Sequence, residues 1–158
     1  MAKFVALLAS GLSLGMIMAL VALGFLLLYK ATGVINFAHG DLVTLGAYFA
    51  VWATVDLGMP TVAGYVVALV IMFCVGVAIE RIAFAPLRRR SQLVVVISTL
   101  AAALVIRAAV SLWQGSNPRQ LDTPVGNGAW TIFGAHVAVQ RILIMIVATV
   151  VIAVMLFV

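Results

Sequence analysis

Between Lys3 and Lys30 the chain runs through 26 residues, Phe4 to Tyr29, without one charged side chain. About 20 apolar residues in α-helix cross the ~30 Å hydrocarbon core of a bilayer. Helix also satisfies every backbone N–H and C=O within the segment, as lipid requires. The rest of the sequence is of the same kind: of 158 residues, 66% are hydrophobic and 8% charged, against roughly 45–50% and about 25% in a soluble domain. A chain of this length folded in water still exposes a large part of its surface, so these proportions exclude a soluble globule. A secretory signal peptide fits the first run poorly, because its apolar core is shorter and ends at a small-residue cleavage site.

Punctuation along the chain divides it into about five spans. The first covers about residues 4–29, and Lys30 with Gly33 is expected to stop it, the lysine at the negative helix end and the glycine in a left-handed C′ position. The second, about 36–55, carries Asp41 near its start and ends at the turn-like Asp56-Leu57-Gly58-Met59-Pro60. The third, about 60–79, has Pro60 in its first turn and ends at Glu80-Arg81; the fourth covers about 92–113. Residues 114–140 turn to Gly, Asn, Pro and Thr and read as one long loop. Within it, Gly126-Asn127-Gly128 followed by Ala129 to Phe133 is expected to make a small hairpin. The last run, 142–158, is 17 residues long and stops on Leu-Phe-Val without flanking charge. It is therefore expected to be a span cut short, with a second half to follow. The fold class is an all-α, polytopic transmembrane helix bundle, a single incomplete domain over 1–158.

Nine Lys and Arg against four Asp and Glu give a formal charge of +5, which here reports topology rather than nucleic acid. Five spans in series put Lys30, Arg81, Arg88, Arg89 and Arg90 on one side and Lys3, Arg119 and Arg141 on the other. The positive-inside rule makes the arginine side cytoplasmic. The N-terminus and the 114–140 loop are then extracytoplasmic. Arg107 lies about two turns from the end of span four and is read as snorkelling to the nearer interface. Pairing with a carboxylate such as Asp41 or Glu80 is the alternative.

Gly33 to Asp41 is the most unusual passage, placing Asn36, His39 and Asp41 within nine residues flanked by membrane-compatible sequence. Polar groups at such depth usually face a bundle interior or line a pathway. Two readings stand: a broken-helix entry to a pathway built from Asn36, Phe37, His39, Gly40 and Asp41, or an interfacial turn in which Asn36 caps and Asp41 suits the positive helix start. Both hold together where a half-helix N-terminus meets an anionic substrate group. Gly11, Gly15 and Ala19 in span one, and Gly64, Ala68 and Gly76 in span three, form small-residue faces expected to pack against other helices.

Catalytic motifs are not found. The only lysines are Lys3 and Lys30, so no Gly-x-x-x-x-Gly-Lys-Ser/Thr loop exists and ATP would have to be bound by a partner. There is no Gly-x-Ser-x-Gly, His-Glu-x-x-His or Cys-x-x-Cys, and with a single cysteine, Cys74, neither a disulfide nor a metal site is expected. His136 falls in the outer loop, where it is expected to be solvated. An intramembrane enzyme is therefore disfavoured.

Gly33-Val34-Ile35-Asn36-Phe37-Ala38-His39-Gly40-Asp41 resembles the signature of LivH-type permeases of branched-chain amino acid ABC importers. Ala19 to Gly24, Leu45-Gly46-Ala47-Tyr48, Glu80 to Arg88 and Ile97-Ser98-Thr99-Leu100 are similar to the same pattern, so the resemblance covers most of the chain. It implies a multi-pass permease subunit of a bacterial inner membrane without a cofactor of its own. The implied partners are a second permease, cytoplasmic ATPase subunits that bind ATP, and an extracytoplasmic binding protein. Such permeases are about twice this length, and the segment that docks on the ATPase lies in their second half. Relatives also carry urea and amides, so a urea or amide permease and a truncated, non-transporting membrane protein remain as alternatives. An amino acid is zwitterionic, and Asp41 with Arg107 has the two signs needed to meet it, although importers of this type take specificity mainly from the binding protein.

Overall fold

The computed structural model describes residues 2–87, 90–115, 129–132 and 135–157. Five α-helices follow the order of the apolar runs: α1 (Ala2–Thr32), α2 (His39–Val51), α3 (Thr61–Ile79), α4 (Gln92–Gln114) and α5 (Val139–Phe157), with a strand pair, β1 (Ala129–Ile132) and β2 (Ala135–Ala138), before α5. The protein is a polytopic helical membrane bundle. Among the described residues three helical stretches, Lys3–Thr32, Thr61–Leu87 and Gln92–Gln114, are long and apolar enough to cross a membrane, and Val139–Met155 is a shorter apolar helix. Leu112 is 90% exposed and Phe73 74%. Apolar surface on that scale belongs against lipid or another membrane helix. Hydroxyls on the helices turn inward to their own backbone: Ser10 donates to the Ala6 carbonyl at 2.7 Å, Thr54 to Ala50 at 2.8 Å and Thr149 to Met145 at 2.7 Å. That leaves no donor facing hydrocarbon at those positions.

The chain divides into two compact units, Met1–Leu26 with Asp122–Val158, and Leu27–Leu121. In the first unit, β1 and β2 pair antiparallel with Ala129 opposite Ala138. The expected strand 129–133 pairs with the segment that follows it, while Gly126-Asn127-Gly128 lies outside the described residues.

The second unit holds α2, α3 and α4. Gly46 on α2 faces Met72 on α3, and Gly64 near the start of α3 lies against Thr54, so α2 and α3 run antiparallel. Phe37, Asp41 and Phe49 meet Thr99, Arg107 and Trp113 in that order, which sets α4 parallel to α2. The buried residues of α4, Val95, Thr99, Ala103, Ile106, Val110 and Gln114, form one stripe at three- and four-residue spacing.

Helix ends depart from the sequence expectation in three places, the simplest being that α5 begins at Val139, inside the expected 114–140 loop, with Arg141 in its first turn. The second span was expected from 36, but α2 starts at His39 and gives way at Trp52–Asp56 to a wider π turn, closed by the Leu57 N–H on the Trp52 carbonyl at 3.0 Å. Its 13 α-helical residues cover only ~20 Å at 1.5 Å each. Span three was expected to end at Glu80-Arg81, yet it continues through a π turn, Glu80–Phe84, and a 3₁₀ turn, Ala85–Leu87. Pro86 accounts for the widening: it has no N–H to give and its ring crowds the carbonyl four residues back. Gly33, at φ +70°, ends α1 as expected, donating to the Tyr29 carbonyl at 2.7 Å.

A Cβ on Gly64 would fall on the methyl of Thr54, whose hydroxyl is held by Ala50, and 3.4 Å from the Thr54 nitrogen. Gly64→Ala is therefore expected to destabilise the α2–α3 packing by about 1–3 kcal/mol. A lowered thermal midpoint of the detergent-solubilised protein, read by size-exclusion, checks this; an unchanged midpoint would mean that the turn at Thr54 yields freely.

Candidate functional site

The polar passage after α1 is shaped by two side chains that take backbone donors out of the helix. Asn36 Oδ1 accepts from the Ala38 N–H at 3.0 Å, an Asx turn, and Thr99 Oγ1 on α4 accepts from the Phe37 N–H at 3.2 Å. Thr99 is 2% exposed and donates its own hydrogen to the Val96 carbonyl at 2.8 Å. It is a buried clip between the break and α4. Ala38, 0% exposed, sits at the centre of a cluster with Ala103, Ile106 and Val110, flanked by Leu42, Tyr48 and Ile79. Only a small side chain lets the break approach α4 this closely.

His39 opens α2, with its N–H 3.3 Å from the Asn36 carbonyl, and Asp41 lies in the first turn, where a carboxylate suits the positive helix end. Asp41 meets Arg107. Arg107 Nε and Nη2 each donate to Asp41 Oδ1 at 3.1 Å, and Nη2 reaches Oδ2 at 3.3 Å. Here the sequence reading needs correction: Arg107 pairs with Asp41 across two helices rather than simply snorkelling. The side chain of Asp41 is 16% exposed and that of Arg107 70%. Arg107 lies seven residues, ~10 Å, before the end of α4 and fifteen, ~22 Å, after its start, which is membrane depth. An exposed guanidinium there must face water or another polar surface, not hydrocarbon.

Beside the pair is an open pocket of about 220 Å³ lined by Asp41, Thr44, Tyr48, Arg107 and Ser111, with Ile106 and Val110 as its apolar wall, and it runs to Gly115 just past the end of α4. At ~30 Å³ each it has room for roughly seven waters. Toward the far ends of α2 and α4, Trp113 packs in tilted contact with Phe49 and Trp52, with ring centroids 5.2 Å and 6.0 Å away.

The other sequence candidates are placed as follows. Phe37 is 50% exposed, and Gly40 is open, with nothing within 4 Å of a Cβ built on it. Arg81 and Arg90 are exposed on the stretch that joins α3 to α4, while Arg88 and Arg89 lie outside the described residues. Gly64 and Ala68 are buried and Ala19 half-buried; among the described residues nothing lies within 4 Å of a Cβ built on Gly11, Gly15 or Gly76. Sequence reasoning missed Thr99, Thr44, Tyr48 and Ser111 as members of the site. The signals available were the three- and four-residue spacing that puts Thr99 in line with Val95, Ala103, Ile106, Val110 and Gln114, and the place of Tyr48 and Thr99 in the stretches 45–48 and 97–100 that resemble the family pattern.

Membrane-length helices interrupted by a polar turn, with an ion pair and a pocket beside it, define a polytopic membrane protein with a polar site between its helices. The family described as branched-chain amino acid transport system, permease component, matches residues 7–158, and the chain belongs to it. It is 33% identical over 151 residues to the high-affinity branched-chain amino acid transport system permease protein LivH of Escherichia coli (strain K12), covering 87% of this chain and 49% of that protein. LivH of Salmonella typhimurium is 32% identical over the same shares, and BraD of Pseudomonas aeruginosa 32% over 89% and 50%. The chain thus spans about half the length of the curated relatives it matches. No solved structure matches it.

Proposed function

We propose that the chain is a transmembrane permease subunit of an ABC importer in a bacterial inner membrane, forming part of the path for branched-chain or similar amino acids. The observation that carries this reading is the Asp41–Arg107 pair at membrane depth, with an open pocket beside it, in a chain of a permease family. An ion pair left half-exposed in lipid is expensive, and a wet passage is what makes it tolerable. The polar turn at Asn36 to Asp41 supports the same reading, since irregular backbone at depth is stable only against protein or a water-filled cavity.

ATP is bound by separate cytoplasmic subunits, as the family resemblance implies, and these 158 residues hold no Gly-x-x-x-x-Gly-Lys-Ser/Thr loop. A second permease subunit and an extracytoplasmic binding protein complete the machine. The open small-residue faces at Gly11, Gly15 and Gly76 are where we place close contact with further helices. Arg81, Arg88, Arg89 and Arg90 fix that end of α3 and α4 as cytoplasmic, with the N-terminus and the hairpin outside.

The test is uptake of radiolabelled leucine by cells carrying the complete transporter. Asp41→Asn and His39→Ala are each expected to lower the initial rate about tenfold, equivalent to ~1.4 kcal/mol in the barrier, with the amount of protein in the membrane unchanged. Wild-type rates in both variants would refute a role for this turn in the path.

A further inference from the structure

We propose that Thr99 is the positioning residue of the Asp41–Arg107 pair: by accepting the Phe37 N–H it fixes where α2 begins along α4, and with that which part of α4 the Asp41 carboxylate meets. This rests on the permease reading above and adds to its path the residue that sets the register of the two helices beside it.

The N-terminus of a helix leaves its first N–H groups without intrahelical acceptors, and inside a membrane only protein or trapped water can take them. Asn36 Oδ1 accepts from the Ala38 N–H at 3.0 Å, and Thr99 Oγ1 accepts from the Phe37 N–H at 3.2 Å. The Thr99 hydroxyl gives its hydrogen to the Val96 carbonyl at 2.8 Å, and the residue is 2% exposed. Its oxygen therefore meets the break as an acceptor only. Both the place of this bond and its direction are fixed by α4.

Two polar contacts join the start of α2 to α4, and they differ in slack. Phe37 and Asp41 are four residues apart, while their partners Thr99 and Arg107 are eight apart, about 12 Å along the helix axis. Helical side chains lean toward the N-terminus, so Arg107 reaches back to Asp41 through a long, flexible stem. A guanidinium on such a stem follows its carboxylate when a helix slides. The Thr99 hydroxyl, one bond from Cβ, cannot follow, and a slip of one turn, about 5.4 Å, breaks its contact outright. Thr99 thus sets the register and Arg107 accommodates it. Ala38, 0% exposed among Ala103, Ile106 and Val110, keeps the backbone close enough for the bond. Ser98, the preceding residue, donates instead to the Ala83 carbonyl at 3.4 Å, a longer contact into the widened turn ahead of Pro86. Adjacent hydroxyls on α4 therefore hold two different irregular stretches, one each.

The experiment uses the complete transporter, with Cys74→Ala throughout, in vesicles of phosphatidylethanolamine and phosphatidylglycerol. Spin labels are placed on Val43→Cys of α2 and Leu104→Cys of α4, positions 45% and 65% exposed. Thr99→Val keeps the shape and removes the acceptor. It is expected to broaden the distance distribution between the labels, read by double electron–electron resonance, and to add a second maximum about 5 Å away, one turn of helix. Thr99→Ala is expected to do the same, so the measurement does not depend on whether the valine is tolerated. Thr99→Ser, which keeps the oxygen, and Ser98→Ala, which loosens α3 instead, are expected to leave the distribution unchanged. In unlabelled transporter Thr99→Val is expected to lower the initial rate of leucine uptake about tenfold. With Asp41→Asn also present the further loss is expected to be less than about twofold, because the group to be positioned is already gone. An unchanged distribution in both Thr99→Val and Thr99→Ala, an equal change in Ser98→Ala, failure of Thr99→Ser to preserve it, or an equal factor of uptake lost with and without Asp41→Asn overturns the proposal. The expected distance change in a transporter that takes up no leucine even with Thr99 in place leaves the register role standing and removes the permease reading.

Discussion

Replacing Asp41 or Arg107 singly by Leu is expected to lower the thermal midpoint of the inserted protein, whereas the double replacement recovers most of it. Each single change leaves the other charge without its partner, and because Arg107 is 70% exposed water takes up part of that loss, so about 1–2 kcal/mol remains. At 1.4 kcal/mol per decade that is about tenfold in a folding equilibrium. The pair holds itself through three donor–acceptor contacts, and removing both members takes away the charge that required compensation. Apolar replacement of a whole ion pair is often neutral or stabilising. Thermal unfolding of the solubilised variants, set out as a double-mutant cycle, gives the coupling directly. Additive losses would show that the two charges do not depend on each other. The double variant should insert well and yet fail in uptake, which separates what the pair does for folding from what it does in transport.

Ala38→Leu is expected to be the most damaging change confined to packing. Ala38 is 0% exposed and wedged among Ala103, Ile106 and Val110. Three added carbons have no space there, and overpacking costs about 1–3 kcal/mol. The turn must then move off α4, which takes the Phe37 N–H away from Thr99 at 3.2 Å and leaves a buried donor unpaired, a further ~1–3 kcal/mol. A lower thermal midpoint together with about tenfold slower leucine uptake is the expected result, while Val62→Leu, at a position 74% exposed, changes neither. A normal midpoint in Ala38→Leu would mean that the polar turn is not seated against α4.

Much of this architecture is legible in the sequence because lipid imposes a simple rule on it. Charges at Lys3, Lys30, Glu80 and Arg90 bound long uncharged runs, and helices occupy those runs. What the one-dimensional pattern does not carry is where one helix meets another. Asn36 reads equally well as an N-cap or as the first residue of a break, and the decision is made by Thr99, 62 positions away from the Phe37 N–H it receives. Arg107 near a helix end satisfies the pattern for snorkelling, and its partner Asp41 is 66 positions distant. Small-residue spacing has the same blind spot. Gly64, Ala68 and Gly76 lie on one face of α3, yet only the first two are buried, because α2 turns through Thr54 at that end of the helix. The extension of span three beyond Arg81 was within reach, since Pro86 marks a distorted turn rather than a stop when the residues before it stay apolar.

The central claim is that water reaches the hollow between α2 and α4 inside the membrane. Its most direct test is the reactivity of single cysteines toward a charged methanethiosulfonate in the Cys74→Ala transporter. Thr44→Cys and Ser111→Cys, which line the cavity, are expected to react, whereas Leu69→Cys and Leu104→Cys, at positions 71% and 65% exposed on outer helix faces, are not. Silence at both cavity positions would contradict a wet path and leave the Asp41–Arg107 pair as a strut between helices.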